Sequence, residues 1–337
     1  MFKSKSFIVA IVMMMALTVI LSACGGNKNN TNRANNGGTT ETTPPAQETA
    51  APTDAPVESE LRDFETAKGI VKIPAKPQRI VTDYYGGELL SVGANVVGVE
   101  TTTFDNPFLK DLLTNTEDVG AEVNLEKTLS LAPDLIVVMY DKNYEELSKI
   151  APTIHIPYGT ATNIYETVKL FGDIVGAPDK AEAFISDYEE KAAAGREKLK
   201  GVIDENATVG LYELTDKGEL WIFGDNGGRG GQAVYNALKL KMPAKDFKNE
   251  ITQISLEVLP EYAADYMFLT TYDPDKKGEE SKKLKDSAIW KSLDTYKKNN
   301  IFFNDFDTFY RYDPIAIKGQ IDLFVNLLLE RTEENKK

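Results

Sequence analysis

Two residue types are nearly missing from this chain of 337 residues: it has one cysteine, Cys24, and one histidine, His155. A single cysteine rules out an intramolecular disulfide framework, a CxxC redox site and a thiolate-rich zinc site. A single histidine rules out multi-histidine metal sites and argues against a His-dependent catalytic triad. A transition metal handled by such a chain would have to arrive already wrapped in a chelator. Positive charge is also scarce, with 38 Lys and Arg against 52 Asp and Glu and a formal net charge of −14. That balance is the opposite of a nucleic-acid-binding surface. The sequence lacks a GxSxG elbow, a P-loop ending, a GxGxxG fingerprint and a carboxylate pair at catalytic spacing, so no motif supports an enzyme. What is present is length enough for two domains and 42% hydrophobic residues to build their cores.

The N-terminus reads as an export signal. Lys3 and Lys5 precede an apolar run over residues 7–21, broken only by Thr18. The run is short for a membrane span and suits a signal-peptide core. It ends in Leu21, Ser22, Ala23 and Cys24, which resembles a bacterial lipobox, where a cysteine is lipidated and becomes the first residue. The alternative is an ordinary secretory signal with a chance cysteine. Removal of residues 1–23 takes away Lys3 and Lys5 and no acid, so the charge moves from −14 to −16. Acyl chains on Cys24 would hold the protein on the outer face of a membrane without a spanning helix. Residues 24–60 then form a tether rich in Asn, Thr, Pro, Ala and Gly, expected to be disordered.

From residue 61 strands and helices alternate. Residues 79–82 read as a buried strand, followed by a loop at 83–87 and a helix at 88–92; a short Val-rich stretch covers 96–99. Residues 134–139 and 153–157 read as further strands, and the lack of alternation in the first of these fits a strand covered on both faces. Residues 178–203 differ: Pro178 suits a first helical turn, and Phe184, Tyr188, Ala192, Gly195, Leu199 and Val202 make one apolar stripe. Such a helix would reach about 39 Å at roughly 1.5 Å per residue. Strands resume at 208–212, 220–223 and 265–269, and Asp313 with Pro314 opens a last helix to about residue 330. The expected fold class is α/β with mostly parallel sheets, in two Rossmann-like lobes at 61–177 and 205–337 joined by a single long helix at 178–204.

The lobes share a weak internal repeat. Asn124, Leu125 and Glu126 lead to Asp134 and a strand, while Ser255, Leu256 and Glu257 lead to Asp265 and a strand, at a constant offset of 131. Asn124 and Ser255 are candidate helix N-caps, and a glutamate in the first turn complements the helix dipole. The matched glutamates also admit a second reading, as one exposed acidic knob per lobe.

Lipobox, tether, two lobes on one helix and paired Leu-Glu segments together resemble the substrate-binding lipoproteins of bacterial iron–siderophore ABC importers. The resemblance covers residues 61–335 and is strongest to the ferric-hydroxamate group, through 224–231 (GDNGGRGG), 287–293 (SAIWKSL) and 309–314 (FYRYDP). It implies a helical-backbone periplasmic-binding-protein fold that clasps a ferric siderophore as transported ligand, with no cofactor and no metal site of its own. It further implies a monomer on the extracytoplasmic face of the cell membrane, docking Glu126 and Glu257 onto arginines of an ABC importer permease. By the same resemblance, Arg229 contacts chelate oxygens, and Trp221 and Tyr310 are pocket aromatics. Some members of the group carry a tryptophan where Gly227 stands, which implies a wider pocket or a different ligand here.

The cleft chemistry can also be read from position. Ligands of open α/β sheets sit beyond the carboxyl ends of strands, which selects Tyr84 and Tyr85, the loop 224–231 before an expected helix at 232–240, and the segment with Tyr310 and Arg311. Aromatic walls would bury an organic shell, and guanidinium forks would bind oxygens. Arg311 adds a cation suited to a more anionic chelate, such as ferric citrate; a catecholate siderophore or cobalamin on the same fold is a further alternative. Tyr84 and Tyr85 are adjacent and should point different ways. The glycine-rich loop could be only a tight turn, Trp290 a core residue, His155 a satisfied structural histidine, and the charged run at 276–285 a solvated face.

Overall fold

The computed structural model describes residues 60–243 and 250–337. The expected signal peptide, Cys24 and the tether as far as residue 59 lie outside the described residues.

The first lobe opens with an antiparallel hairpin, β1 (Leu61–Thr66) and β2 (Gly69–Pro74), which the sequence pattern did not suggest. Then follow β3 (Ile80–Thr82), α1 (Gly86–Ser91), β4 (Val96–Val99), β5 (Glu117–Asp118), α2 (Leu125–Ser130), β6 (Leu135–Val138), α3 (Tyr144–Leu147), β7 (Thr153–His155) and α4 (Ile164–Ile174). The five strands β5-β4-β3-β6-β7 form one parallel sheet. Every residue of β4 and β6 is buried, which accounts for their unbroken Val, Leu and Ile runs. Asn163 caps α4 by accepting from the Tyr165 and Glu166 amides, and Ile164, Val168, Phe171 and Ile174 turn its apolar stripe into the core.

The joining helix, α5, runs from Pro178 to Leu199, about 33 Å at 1.5 Å per residue. It is one turn shorter than the apolar period suggests. Lys200 is extended and Gly201 takes φ +71°, so the chain leaves the helix before Val202 can continue the stripe. At Gly195 an added Cβ would lie 2.7 Å from Leu238 and 3.2 Å from Ile321; the glycine lets α5 press closely on the second lobe.

The second lobe contains β8 (Val209–Leu214), β9 (Leu220–Phe223), a π-helical segment (Gln232–Ala237), β10 (Ile251–Ile254), α6 (Leu259–Tyr262) and β11 (Tyr266–Thr271). Its later elements are α7 (Glu279–Asp286), α8 (Ala288–Ser292), α9 (Asp294–Lys297), β12 (Ile301–Asn304), α10 (Phe306–Tyr310) and α11 (Pro314–Glu334). Its sheet order, β10-β9-β8-β11-β12, repeats the order of the first lobe. The strand directions do not: β9 is antiparallel to both β8 and β10. Only a tight turn closed by the bond from Thr215 N to Glu219 O joins β8 to β9, and parallel pairing would need a crossover of a dozen or more residues. The helix expected at 232–240 is instead π-helical and ends early, with Leu238 N donating to Ala233 O and Lys239 at φ +58°.

The repeat has a structural basis. Asp134, just ahead of β6, accepts from the Gln78 and Arg79 amides at 2.6 and 2.8 Å, and Asp265, just ahead of β11, accepts from the Thr208 amide at 2.8 Å. Each aspartate fastens the start of the fourth strand of its five-stranded sheet, in chain order, to the start of the first. Asp313 caps α11 by accepting from the Ala316 amide at 3.0 Å. The main core cluster runs through both lobes and α5, with Leu89, Phe171, Tyr188, Val234, Phe268 and Phe324 among its members. Trp290 is 1% exposed and belongs to a second cluster within the second lobe.

Candidate functional site

Loops at the carboxyl ends of the first lobe's strands face the glycine-rich loop and the segment ahead of α11. Between them lies a cavity of about 380 Å³ lined by Tyr84, Tyr158, Tyr312, Asn226, Gly227 and Gln232, among others. A smaller chamber of about 80 Å³ shares Tyr84, Glu88 and Tyr312 with it and adds Glu100, Asn106, Tyr310, Arg311 and Asp313. Both volumes are bounded by residues of both lobes, so the cleft exists only because the lobes meet.

Tyrosines build the cleft wall. Tyr84 follows β3 and its hydroxyl is hydrogen-bonded to the Tyr312 hydroxyl across the lobe boundary. Tyr140 follows β6 and stands edge-on to Tyr84 at 6.3 Å; Tyr158 follows β7 and stands edge-on to Tyr312 at 6.3 Å. Burial pushes the Tyr84 and Tyr312 hydroxyls well above the ordinary tyrosine range, so both stay protonated, and one of the two protons lies in the bond they share. Tyr85 turns the other way, as adjacency requires. It is 7% exposed, donates to Ile156 O at 2.6 Å and packs on Phe171, so it forms part of the cavity floor.

Arg229 is placed by backbone conformation. Gly228, Arg229 and Gly230 have φ of +90°, +55° and +91°, a left-handed run that only glycine adopts freely. This turn drives the guanidinium into a box of Phe223, Tyr310 and Phe306, at 4.7, 4.7 and 5.4 Å from the ring centres. There it pairs with Glu213, the two side chains being 12% and 9% exposed. Arg229 and Trp221 line neither chamber. Trp221 is half-buried on β9, in register with Glu213. The structure therefore joins Trp221, Glu213, Arg229 and Tyr310 in one layer behind the cleft, and of these Tyr310 reaches the smaller chamber. Arg311 lines that chamber, but its guanidinium turns back to Asp307 O at 3.2 Å and lies 5.5 Å from the Tyr310 ring.

The remaining lining includes four carboxyl groups, those of Glu88, Glu100, Glu250 and Asp313. Glu88 is 6% exposed and borders both chambers. Burial, and then the neighbouring Asp313 charge, push its carboxyl up to about 8. Burial raises Asp313 too, although it accepts from Asn106 Nδ2 at 2.8 Å. Gly227 sits where the backbone comes close: a Cβ there would lie 2.3 Å from Glu250 O. A tryptophan at this position therefore needs a different path for the chain.

Several of these residues were within reach of the sequence reading. Tyr140 and Tyr158 each follow a strand just as Tyr84 does, and Tyr312 lies in the segment already singled out. Glu88 carried no such signal, since a glutamate near a helix start reads as a solvated dipole partner. Two other expectations need correction. Ser255 makes no cap bond to the backbone; its hydroxyl bonds the Glu257 carboxylate and holds it below the ordinary range. His155 is only half satisfied: Nε2 meets Met139 O at 3.0 Å, while Nδ1 is buried without a hydrogen-bond partner among the described residues.

Glu126 and Glu257 are exposed at equivalent places in the two lobes. Asn124 caps α2 through the Lys127 amide at 2.9 Å, and Leu125 and Leu129, 36% and 63% exposed, flank Glu126.

Comparison with known proteins adds the following. The sequence model of the periplasmic binding protein family matches residues 87–308. Over 297 residues the chain is 55% identical to the iron(3+)-hydroxamate-binding protein YxeB of Bacillus subtilis (strain 168), covering 87% of this chain and 92% of that protein. It is 34% identical over 280 residues to the iron(3+)-hydroxamate-binding protein FhuD of the same organism, covering 80% and 87%. Among solved structures, FhuD2 from Staphylococcus aureus with bound ferrioxamine B superposes with a TM-score of 0.67 at 30% identity, covering 76% of this chain and all of that one.

Proposed function

The chain belongs to the periplasmic binding protein family, and on that premise we propose that its cleft captures a ferric siderophore of the hydroxamate class and delivers it to an ABC importer. The observation that carries this reading is the tyrosine-walled cavity of about 380 Å³ between the lobes, in a chain 55% identical to an iron(3+)-hydroxamate-binding protein. Its volume lies within the range of ordinary small-molecule sites, about 300–1,000 Å³. A ferric trihydroxamate presents an apolar organic shell with carbonyl and N–O oxygens at its surface. The faces of Tyr84, Tyr158 and Tyr312 bury the shell, and their hydroxyls hydrogen-bond the oxygens. Tyr310 adds a ring held by the Arg229–Glu213 pair behind it. Iron stays inside its chelator, since burial holds the Tyr84 and Tyr312 phenols protonated and a phenol that keeps its proton is a poor ligand for iron. The chelate leaves chemically unchanged, as expected of a binding protein.

Arg311, the one cation of the two linings, turns toward Asp307, so the cleft favours neutral or cationic chelates over citrate-type ones. Glu126 and Glu257 are the docking points for basic residues of the permease, one on each lobe, and the protein works as a monomer. Lipidation of Cys24 anchors it on the extracytoplasmic face of the membrane. The test is direct: protein mixed with a coloured ferric trihydroxamate should co-elute with the colour in gel filtration and quench tryptophan fluorescence saturably. Elution of the colour apart from the protein, with no quenching by any ferric hydroxamate, would refute the reading.

A further inference from the structure

We propose that the small chamber around Glu88 is a subsite for a cationic arm of the cargo, an alkylammonium group on a ferric hydroxamate. The proposal rests on the reading of the cleft as a chelate site and deepens it.

The argument begins with what Glu88 lacks. It is 6% exposed in α1, borders both chambers, and its carboxyl takes no hydrogen bond from any other residue among the described residues. The neighbouring acids are already engaged. Asp313 accepts from Asn106 Nδ2 and the Ala316 amide, and Glu100 accepts from the Thr102 amide and hydroxyl. Of the residues lining the two chambers, Arg311 is the one cation, and it is turned toward Asp307. A buried carboxyl whose one donor is its own backbone amide must hold a proton or meet a cation. In the unliganded protein the proton wins, because burial and Asp313 disfavour the anion. The groups that face Glu88 are Tyr84 and Tyr85 from its own loop, Glu100 after β4, and Tyr310, Arg311, Tyr312 and Asp313 ahead of α11. From α4, Thr167, Leu170 and Phe171 reach the lining, none of them charged.

Size separates the two chambers. About 80 Å³, against the roughly 10–15 Å³ that suffices for one water in a cavity, accepts an ammonium with a short methylene stem. The iron-bearing core needs the larger cavity. On binding, the ammonium replaces the carboxyl proton: the Glu88 O–H bond breaks, the proton leaves to solvent, and the carboxylate accepts a charge-assisted hydrogen bond from the N–H of the arm.

The test compares a linear ferric trihydroxamate carrying a free terminal amine with the same compound N-acetylated. Both are titrated into the full chain by fluorescence and by calorimetry in two buffers of different ionisation enthalpy. The wild type should prefer the amine by about 10- to 100-fold, the range of a hydrogen bond to a charged group, and release about one proton at neutral pH with the amine alone. Glu88→Gln should lose the preference, binding both compounds alike, and release no proton. Equal wild-type affinities, or a preference that survives in Glu88→Gln, would overturn the subsite and leave the chelate reading standing. Failure of both compounds to bind would overturn the chelate reading, and the subsite with it. Proton release by the wild type tests the proposal independently of whether the variant folds.

Discussion

Replacing Arg229 by alanine tests the layer behind the cleft most severely. The substitution strips Glu213, whose side chain is 9% exposed, of its partner, and removes the cation from between Phe223, Phe306 and Tyr310. Breaking a buried ion pair by deleting one member costs about 3–5 kcal/mol, because the other charge stays buried. In a domain of this size that corresponds to a fall in melting temperature of about 6–20 °C. Differential scanning calorimetry reads it directly. Two controls separate the contributions. Arg229→Gly removes the same side chain but suits φ +55°, so it should melt above Arg229→Ala by an amount equivalent to about 1 kcal/mol. The double variant Glu213→Gln with Arg229→Met removes both charges and should recover most of the stability, since apolar replacement of a buried pair is often neutral. Fluorescence titration with a ferric hydroxamate supplies the functional readout, and Arg229→Ala should bind it more weakly. A melting temperature within about 2 °C of wild type would refute the buried-pair reasoning, and unchanged affinity would remove Arg229 from ligand binding.

Glu126→Arg combined with Glu257→Arg should abolish siderophore-dependent growth in iron-poor medium while titrations of the purified variant stay at wild-type affinity; normal uptake would dispose of the docking role. Stability should fall between pH 6 and pH 9. The folded-state value of Glu88 is raised to about 8, so its contribution is complete below the ordinary carboxylate range and is lost as pH rises through 8. Urea denaturation of Glu88→Gln at the two pH values should show a smaller drop than wild type, and an identical drop would contradict the assignment. Gly230→Ala should lower the melting temperature, because its Cβ would lie 2.4 Å from the Phe324 ring at a backbone φ of +91°; overpacking of this kind costs about 1–3 kcal/mol, and a wild-type melt would count against it.

The α/β fold was legible where burial is uniform. Strand β6 reads as covered on both faces because all its residues are buried, and Asp134 and Asp265 announce the repeat because each performs the same backbone fastening. Strand β10 left no such trace: its residues run exposed, intermediate, exposed, buried, and its antiparallel pairing follows from a short turn upstream. The end of α5 was misplaced because Val202 fits the apolar period while Gly201 turns the backbone away. In the site, the glycine spacing at 224–231 marks a loop but does not say that Arg229 turns behind the cleft wall. Glu88 was invisible for a different reason. Its burial is created by Asp313 and Tyr312 from the far end of the chain, and no local pattern encodes a surface made by two lobes meeting.

The C-terminal helix has a kinetic consequence. α11 packs against α5 and the π-helical segment, yet also against α1 and α4 of the first lobe, and Gly319 lets it approach Phe108 there, where a Cβ would lie 2.4 Å from the ring. Together α5 and α11 brace both halves, so spreading the lobes means unpacking helices rather than flexing a hinge strand. A cleft held in this way is largely preorganised, and little of the binding energy is diverted into ordering it. Cargo then enters through a standing mouth. Variants of the wall should therefore change residence time far more than the rate of capture.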